Sequence, residues 1–343
     1  MSFKYFNFNV IVKKLKLISI SAGNYFIYFN LKSIRVIYDM GTSETLRNRI
    51  LISILYIYYC LLLFFINNFT WTGMYEESNE KISVHVPVHL KPINEKNFSH
   101  YLAGLIDGDG HFSNSNQLVI SFHLKDISLA YYVKKRIGFG NVKKVKNKNA
   151  VIFVISCIKG LIVVLNLING KLRHFVKLKQ VNNILSNLKH KELNEKFKFT
   201  LNNNNDFNNY WLSGFSDADA SFEVKILNII NRKKPEIRLN FQIDQKHKDL
   251  LNLIKDNFGG NIGYRSSQDT YYYGSTNFGS AKNIINYFDR FNLLSTKHIN
   301  YLKWREVYLL IQRKDHLTER GLNKIIKLKK TMNNFNKDTI DLS

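Results

Sequence analysis

The chain has 343 residues and carries 50 Lys and Arg against 26 Asp and Glu, a formal net charge of +24 at pH 7. Residues 1–97 contribute a net +5, from 11 Lys and Arg and 6 Asp and Glu, so residues 98–343 carry +19. This excess favours a polyanionic partner, although lysine-rich composition is also what A+T-rich coding sequence produces. Two cysteines exclude a disulfide framework and the common zinc patterns. Cys60 and Cys157 lie in apolar runs, which predicts small buried hydrophobic side chains.

The first 97 residues differ from the rest and are predicted as an N-terminal extension. Residues 50–66 are a run of 17 without a charge, preceded by Arg47 and Arg49. This length is at the lower edge of a membrane span, and the basic flank would place its N-terminal side on the cytoplasmic or matrix face. The alternatives are a buried helix and the translation of upstream sequence under little selection. Residues 67–97, with Gly73, Pro87 and Pro92, are predicted as a linker.

Two similar segments of ten residues lie 110 positions apart: Tyr101-Leu-Ala-Gly-Leu-Ile-Asp-Gly-Asp-Gly110 and Trp211-Leu-Ser-Gly-Phe-Ser-Asp-Ala-Asp-Ala220. Helical spacing puts the small residues of each segment on one ridge, so two such helices can pack backbone to backbone. The last aspartates, Asp109 and Asp219, would then lie side by side at the helix C-termini. A carboxylate is unfavourable there because that end of the helix carries partial negative charge. The pair therefore predicts a divalent cation with oxygen ligands, namely Mg²⁺.

Each segment opens a region with the same order of predicted elements, helix, strand, strand, helix, strand, strand, helix. The first region covers residues 98–201 and the second covers residues 207–335, with a low-complexity loop at Asn202–Asn205 and a tail at 336–343. A repeat of this length is too long for a solenoid period. It predicts a pseudo-two-fold pair, that is, a homodimer fused into one chain.

The two segments and the regions that follow them resemble the LAGLIDADG homing endonucleases and the related intron maturases over residues 98–335. The chain is similar in particular to proteins encoded in group I introns of fungal mitochondrial cytochrome b and cytochrome oxidase subunit 1 genes. The resemblance implies an α+β fold, in which two αββαββα halves join at the motif helices and their sheets form a β-saddle over the DNA major groove. It also implies a monomer with an internal pseudo-dimer, preceded here by the N-terminal extension.

The same resemblance implies the site residues. Asp109 and Asp219 match the catalytic metal-binding acids, with the carbonyls of Gly108 and Ala218 as co-ligands. Lys177 matches an active-site lysine. Aligning Asn182 with Asn300 puts Ser295 opposite Lys177 and Lys297 opposite Lys179, and Lys297 is the candidate counterpart because it is the only basic residue there besides His298. Gln245 matches a residue that orders water, with Asp126 at the equivalent place in the first half.

Three further expectations concern details of the motifs and of the sheets. Asp107 and Asp217 are expected to hydrogen-bond locally around the helix ends. Ala220 replaces the usual Gly, which a left-handed helix cap would favour, so the second acid is expected to be set differently. Basic and aromatic residues on two equivalent hairpins are predicted to contact nucleic acid: Lys143, Lys144, Lys146, Lys148, Arg265, Tyr271 and Tyr273.

The expected function is a mitochondrial, site-specific, Mg²⁺-dependent endonuclease that cuts double-stranded DNA and starts group I intron homing. The alternative is an RNA maturase that helps its own group I intron to splice, because a maturase needs the same basic surface but not the acids. One scaffold could also carry both activities. A third alternative, a basic protein anchored in a membrane through residues 50–66, would leave the repeat unexplained.

Overall fold

The computed structural model describes residues 81–187, 198–230 and 234–332. The hydrophobic run at 50–66, Cys60 and the tail at 336–343 lie outside these residues. Within the described ranges, none of the helices has the length and apolar character that a membrane crossing would need.

In the described residues, the first half has a four-stranded antiparallel sheet and four α-helices. Its elements are α1 (Glu95–Asp109), β1 (Gly110–Ser113), β2 (Gln117–His123), α2 (Ile127–Ile137), β3 (Asn141–Lys144), β4 (Ala150–Ile155), α3 (Ile158–Ile168) and α4 (Phe175–Asn187). The strand order is β1-β2-β4-β3. Cys157 is exposed, so its predicted burial is wrong. It precedes α3 in the turn after β4, beyond the last buried residue of the strand, Ile155.

The second half repeats this arrangement and adds a C-terminal helix. Its elements are α5 (Trp211–Asp219), β5 (Ala220–Leu227), β6 (Glu236–Gln245), α6 (Asp249–Phe258), β7 (Asn261–Arg265), β8 (Thr270–Gly274), α7 (Phe278–Arg290), α8 (Lys297–Gln312) and α9 (Glu319–Thr331). The strand order is β5-β6-β8-β7, which matches that of the first sheet. The predicted α+β architecture of two duplicated halves is therefore confirmed.

One face of each sheet is buried against helices, and the other, here called the open face, is not. In β2 the buried residues are Leu118, Ile120 and Phe122, and in β4 they are Val151, Phe153 and Ile155. Their neighbours in sequence are partly or fully exposed, as the period of two along a strand requires. The apolar side chains thus pack each sheet against the helices, and the side chains that alternate with them lie on the open face.

The two motif helices, α1 and α5, pack at backbone distance. A Cβ added to Gly104 would lie 1.9 Å from the carbonyl oxygen of Trp211, and one added to Gly214 would lie 2.0 Å from that of Tyr101. One turn further on, a Cβ on Gly108 would lie 2.4 Å from the Cβ of Ala218. The predicted ridge of small residues is therefore the interface between the halves.

Gly104→Ala should destabilise the protein by at least about 3 kcal/mol, because the methyl group would meet rigid backbone and force α1 and α5 apart. The measurement is the free energy of unfolding in urea. Gly279→Ala is the matched control, since a Cβ there meets only the Asn277 side chain at 3.5 Å. Equal stability of the two variants would contradict the backbone contact.

Residues 81–90 pack on the second half, so their interpretation as part of a linker is wrong. Ile82 is 6% exposed, and its backbone NH and carbonyl are both bonded by the Gln312 side chain, at 2.9 and 3.0 Å. Arg305 Nη2 donates to the carbonyls of Ser83 and His85 at 3.0 and 3.2 Å. The segment thus stabilises α8, the helix that Arg305 and Gln312 belong to.

A chain that begins at Ile93 should unfold with a free energy about 2–4 kcal/mol lower than that of a chain that begins at Lys81. The shorter chain exposes the site that Ile82 covers and leaves the buried Arg305 guanidinium without two acceptors. Urea unfolding of purified fragments is the measurement. Val88→Ser in the 81–343 chain is the control, because Val88 is 77% exposed and its replacement should change little.

Candidate active site at the motif helices

The two motif acids lie together at the C-terminal ends of α1 and α5, where each is the last helical residue. The position of a Cβ on Gly108 is only 3.0 Å from the Oδ2 atom of Asp219. A cavity of about 200 Å³ opens beside them and is lined by Asp109, Ala218 and Lys297 among others. The prediction that the helix packing would bring the acids together therefore matches this geometry.

The environment of the two acids disfavours their ionised forms. Burial, and then the neighbouring Asp109, raise the pKa of Asp219 to about 6, against opposing effects of Lys297 and of Gln245. Burial also raises the pKa of Asp109, which Lys297 and Lys177 oppose. Two buried carboxylates at two negative helix ends are an arrangement that a bound cation would stabilise.

One lysine from each half donates to backbone carbonyls next to the second aspartate of its motif. Lys177 Nζ donates to the Gly110 carbonyl at 2.5 Å and has a longer contact of 3.5 Å with that of Gly108. Lys297 Nζ donates to the Ala218 carbonyl at 2.6 Å and to that of Ser216 at 3.2 Å. Burial lowers the pKa of both lysines, and the nearby aspartates raise it.

These contacts make Lys177 and Lys297 structural counterparts, so the alignment that put Ser295 opposite Lys177 is wrong. Ser295 instead binds the first motif acid of its own half, through its backbone NH at 3.2 Å and its Oγ at 2.5 Å, both to Asp217 Oδ1. The alignment failed because it was anchored on Asn182 and Asn300, and Lys177 lies five residues before the first whereas Lys297 lies three residues before the second.

The first aspartates of the two motifs, Asp107 and Asp217, accept hydrogen bonds from the opposite half. The prediction that they bond locally around their own helix ends is therefore wrong. Asp107 is buried and accepts from Trp211 Nε1 of the opposite motif helix at 2.8 Å. It also accepts from the backbone NH groups of Arg173 and His174, at 2.8 and 3.2 Å, just before α4. Burial raises the pKa of Asp107 to about 6 in spite of these donors.

Asp217 accepts the equivalent hydrogen bonds in the second half. It accepts from the hydroxyl of Tyr101 on the opposite motif helix at 2.7 Å and from the backbone NH of Leu294, just before α8, at 2.7 Å. Each first acid therefore joins three elements: its own motif helix, the other motif helix and the start of the helix that carries the lysine. The lysines are positioned through these carboxylates.

Gln245 is bonded directly to the second acid, since its Nε2 donates to Asp219 Oδ2 at 2.6 Å. The first half has no amide at the matching place in the sheet. Gly110 pairs with Ile120 and Ala220 pairs with Ile243, so the residue that corresponds to Gln245 is Phe122. The equivalence of Asp126 with Gln245 is therefore wrong.

Asp126 has a different position, across the interface. Its Oδ1 accepts from the backbone NH of Thr296 at 2.7 Å, at the N-terminus of α8. The corresponding contact in the other direction is aromatic, because the ring of His247 lies 4.9 Å from that of Phe175 and 5.8 Å from that of His174, at the start of α4. Each half thus contacts the start of the helix that carries the other half's lysine.

The residue after each motif helix does not adopt the left-handed conformation that was expected to favour Gly over Ala at position 220. Gly110 has φ −74° and ψ 143°, and Ala220 has φ −87° and ψ 157°, so both are extended. An alanine adopts this conformation without strain. The expected displacement of Asp219 by Ala220 therefore loses its basis.

The residues predicted to contact nucleic acid fall into three groups. Lys143, Lys144, Lys146 and Lys148 are exposed on β3 and the turn that follows it. Arg265 forms an ion pair with Asp244 at 3.2 Å and lies over the ring of Tyr272 at 5.0 Å. Tyr271 is partly buried, and Tyr273 is fully buried with its hydroxyl bonded to the Gly259 carbonyl, so a surface role for Tyr273 is wrong.

Sequence reasoning missed Tyr272, the tyrosine of this strand on the open face. Tyr272 pairs with Asp244 on β6 and with Gly263 on β7, and the absence of a side chain at Gly263 leaves space for its ring. The alternation of apolar residues along β6, at Leu239, Phe241 and Ile243, was the sequence signal for the buried face of this sheet.

Asp219→Asn should stabilise the protein by about 1–2 kcal/mol at pH 7.5 without divalent cations. The folded-state pKa of about 6 exceeds the ordinary 3.8, so the folded state binds the extra proton between these values and loses stability as the pH rises through them. The gain should therefore shrink as the pH falls towards 4. Urea unfolding at several pH values measures it. Asp315→Asn, which removes an exposed acid, is the control, and a gain independent of pH would contradict the origin in ionisation.

Comparison with known proteins agrees with this geometry. The family model described as LAGLIDADG endonuclease matches residues 212–308. The chain is 54% identical over 321 residues to an uncharacterized 37.2 kDa protein of cox1 intron 2 in Schizosaccharomyces pombe, which covers 93% of this chain and 87% of that protein. It is 29% identical to the intron-encoded DNA endonuclease aI3 of Saccharomyces cerevisiae, over 76% of this chain and 75% of that protein.

A third relative is the intron-encoded RNA maturase bI4 of Saccharomyces cerevisiae, 30% identical over 55% of this chain and 28% of that protein. Among solved structures, I-SmaMI bound to uncleaved DNA target in the presence of calcium ions has a TM-score of 0.56 at 24% identity, over 70% of this chain and 99% of that chain. The I-LtrWI LAGLIDADG homing endonuclease bound to target DNA has a TM-score of 0.56 at 23% identity, over 70% and 99%. The chain belongs to the LAGLIDADG family of intron-encoded endonucleases and maturases.

Proposed function

We propose that this protein is a mitochondrial, site-specific, Mg²⁺-dependent endonuclease that cuts both strands of a DNA target and thereby starts the homing of a group I intron. The observation that carries the proposal is the pair of buried acids, Asp109 and Asp219, with Lys177 and Lys297 near both of them, at the crossing of the two motif helices. A structural role alone would not require carboxylates whose ionisation the site opposes.

The oxygen atoms at the crossing of the motif helices are suitable ligands for a hard divalent cation. Asp109 and Asp219 would hold it with the carbonyls of Gly108 and Ala218, and all of these ligands are oxygen atoms, which Mg²⁺ prefers. The described residues contain no cluster of three or more His, Cys, Asp or Glu suited to a metal, so water and phosphate oxygens would complete the coordination. When bound, the cation would supply charge stabilisation at the scissile phosphate and a more acidic water.

The remaining groups would act around the phosphate. Lys177 and Lys297 are held in place by backbone carbonyls, and each brings a positive charge that would stabilise the additional negative charge on a phosphate under attack. Gln245 binds Asp219 and would orient a water molecule on that side. Phe122 is its counterpart by sheet register, so the two strands would be cut in unequal surroundings.

The proposed DNA surface is formed by the open faces of the two sheets and their hairpins. Lys143, Lys144, Lys146 and Lys148 would neutralise phosphates beside the first sheet, and Arg265 and Tyr272 would contact DNA from the open face of the second. Tyr271 packs against the core, so it is left out of this surface. The two halves are proposed to span residues 98–201 and 207–335, each facing half of the target. The chain would act as a monomer.

Asp109→Asn and Asp219→Asn should each reduce double-strand cleavage at least about 100-fold, and the residual activity should nick one strand only. The assay uses an intronless exon-junction duplex labelled on both strands, with Mg²⁺. The double variant should cut neither strand while it binds the duplex at least as tightly as the unchanged chain, because two negative charges near phosphate are removed.

Asp315→Asn serves as the control for this assay, because that acid pairs with Arg313 between α8 and α9, outside the crossing. It should cut both strands at the normal rate. Cleavage of both strands at that rate by the double Asp109/Asp219 variant would refute the proposed active site.

A second candidate function, assistance of intron splicing, is favoured by the likeness to the RNA maturase bI4. The group I intron RNA that encodes the chain would be the partner, bound through the same excess of positive charge. The double acid variant separates the two functions. If it still accelerates splicing of its intron RNA, then splicing is a distinct activity that does not use the acids.

A further inference from the structure

The open face of the first sheet carries three aliphatic side chains at its centre. Val119 on β2 pairs directly with Val154 on β4, and Ile152 on β4 pairs with Ser121. All three are partly exposed, while the residues between them, Val151 and Phe153, are buried in the core. We call Val119, Ile152 and Val154 the aliphatic patch.

The register of the strands gives the matching positions in the second sheet, and these are not aliphatic. Val119 and Val154 correspond to the pair Gln242 and Gly274, because Ile120 and Phe153 pair as Ile243 and Tyr273 do. Ile152 likewise corresponds to Tyr272. Ile152 pairs with Lys143 on β3, and Tyr272 pairs with Gly263 at the equivalent position on β7. The two halves thus present side chains of different chemistry at positions that are equivalent by strand register.

The second sheet arranges its polar side chains in a continuous network. Asn240 donates to Gln242 at 3.2 Å, and Gln242 donates to both carboxylate oxygens of Asp244, at 3.2 and 2.9 Å. Asp244 in turn pairs with Arg265. This face therefore presents hydrogen-bonding groups, whereas the side chains of the aliphatic patch have no donor or acceptor.

We propose that the aliphatic patch makes the first half a reader of thymine methyl groups, so that the half-site facing Val119, Ile152 and Val154 is recognised by apolar contact and the other half-site by hydrogen bonds. This inference rests on the proposed function, because it assumes that the open faces contact DNA. The thymine C5-methyl is the apolar group that a base pair presents in the major groove. Lys143, which pairs with Ile152 on the same face, would bind the backbone beside it or a guanine edge.

The test replaces thymine by deoxyuridine, which removes the methyl group and leaves the hydrogen-bonding edge unchanged. The probe is the exon-junction duplex, with all thymines replaced in one half-site at a time, and the measured quantity is Kd of the full chain in Ca²⁺, which the DNA-bound I-SmaMI structure contains. Replacement in one half-site should weaken binding about 4-fold for each contacted methyl, and replacement in the other half-site should have little effect.

A double-mutant cycle assigns that loss to the aliphatic patch. In the variant with Val119→Ala and Val154→Ala the effect of deoxyuridine should disappear, and in Gln242→Ala it should persist in full. Urea unfolding shows whether the double variant is folded, and Ile152→Ala provides an independent single substitution that should halve the effect or more. Equal losses in both half-sites, or a loss that persists in both patch variants, would overturn the inference. Failure to bind the unmodified junction more tightly than a scrambled duplex would instead overturn the proposed function itself.

Discussion

The backbone contact between α1 and α5 at Gly104 and Gly214 is the constraint on which the rest of the structure depends. Because each glycine lies against a carbonyl of the other helix, the two helices have one relative position. That position brings Asp109 and Asp219 together. It also buries Asp107 and Asp217 where the opposite helix can donate to them. Packing, assembly of the site and the joining of the halves therefore have one geometric cause.

This arrangement has an electrostatic cost that falls mainly on the acids of the crossing. Asp107 and Asp217 offset their burial with three or more hydrogen-bond donors each, so they serve the structure. Asp219 has a single amide donor, Gln245, and an acidic neighbour, Asp109. The first pair is thus satisfied within the protein, and the second pair retains an unmet requirement for positive charge. The difference separates structural from candidate catalytic carboxylates within one motif.

The sequence was sufficient for the helix ridge, the duplicated halves and the pairing of Asp109 with Asp219, because each follows from a local period that the chain repeats. It was insufficient for contacts between distant segments. Asp107 and Asp217 looked like local caps because their donors lie at Arg173 and Leu294, far along the chain. Tyr273 was misassigned because a run of three tyrosines shows no alternation, and only pairing with β6 decides which of them faces outwards. The lysines were misaligned because Lys177 and Lys297 lie at different distances from Asn182 and Asn300, the residues on which the alignment was anchored.

The contacts between the halves come as unlike pairs, and this has an evolutionary consequence. Tyr101 serves one first acid and Trp211 the other, and Asp126 meets the start of α8 where His247 meets the start of α4. An interface between identical subunits must be complementary to itself. The contact surfaces of these two halves are complementary to each other and not to themselves, so neither half is matched to a second copy of itself. The fusion has thereby become difficult to reverse, while the open faces, which take no part in it, remain free to diverge separately.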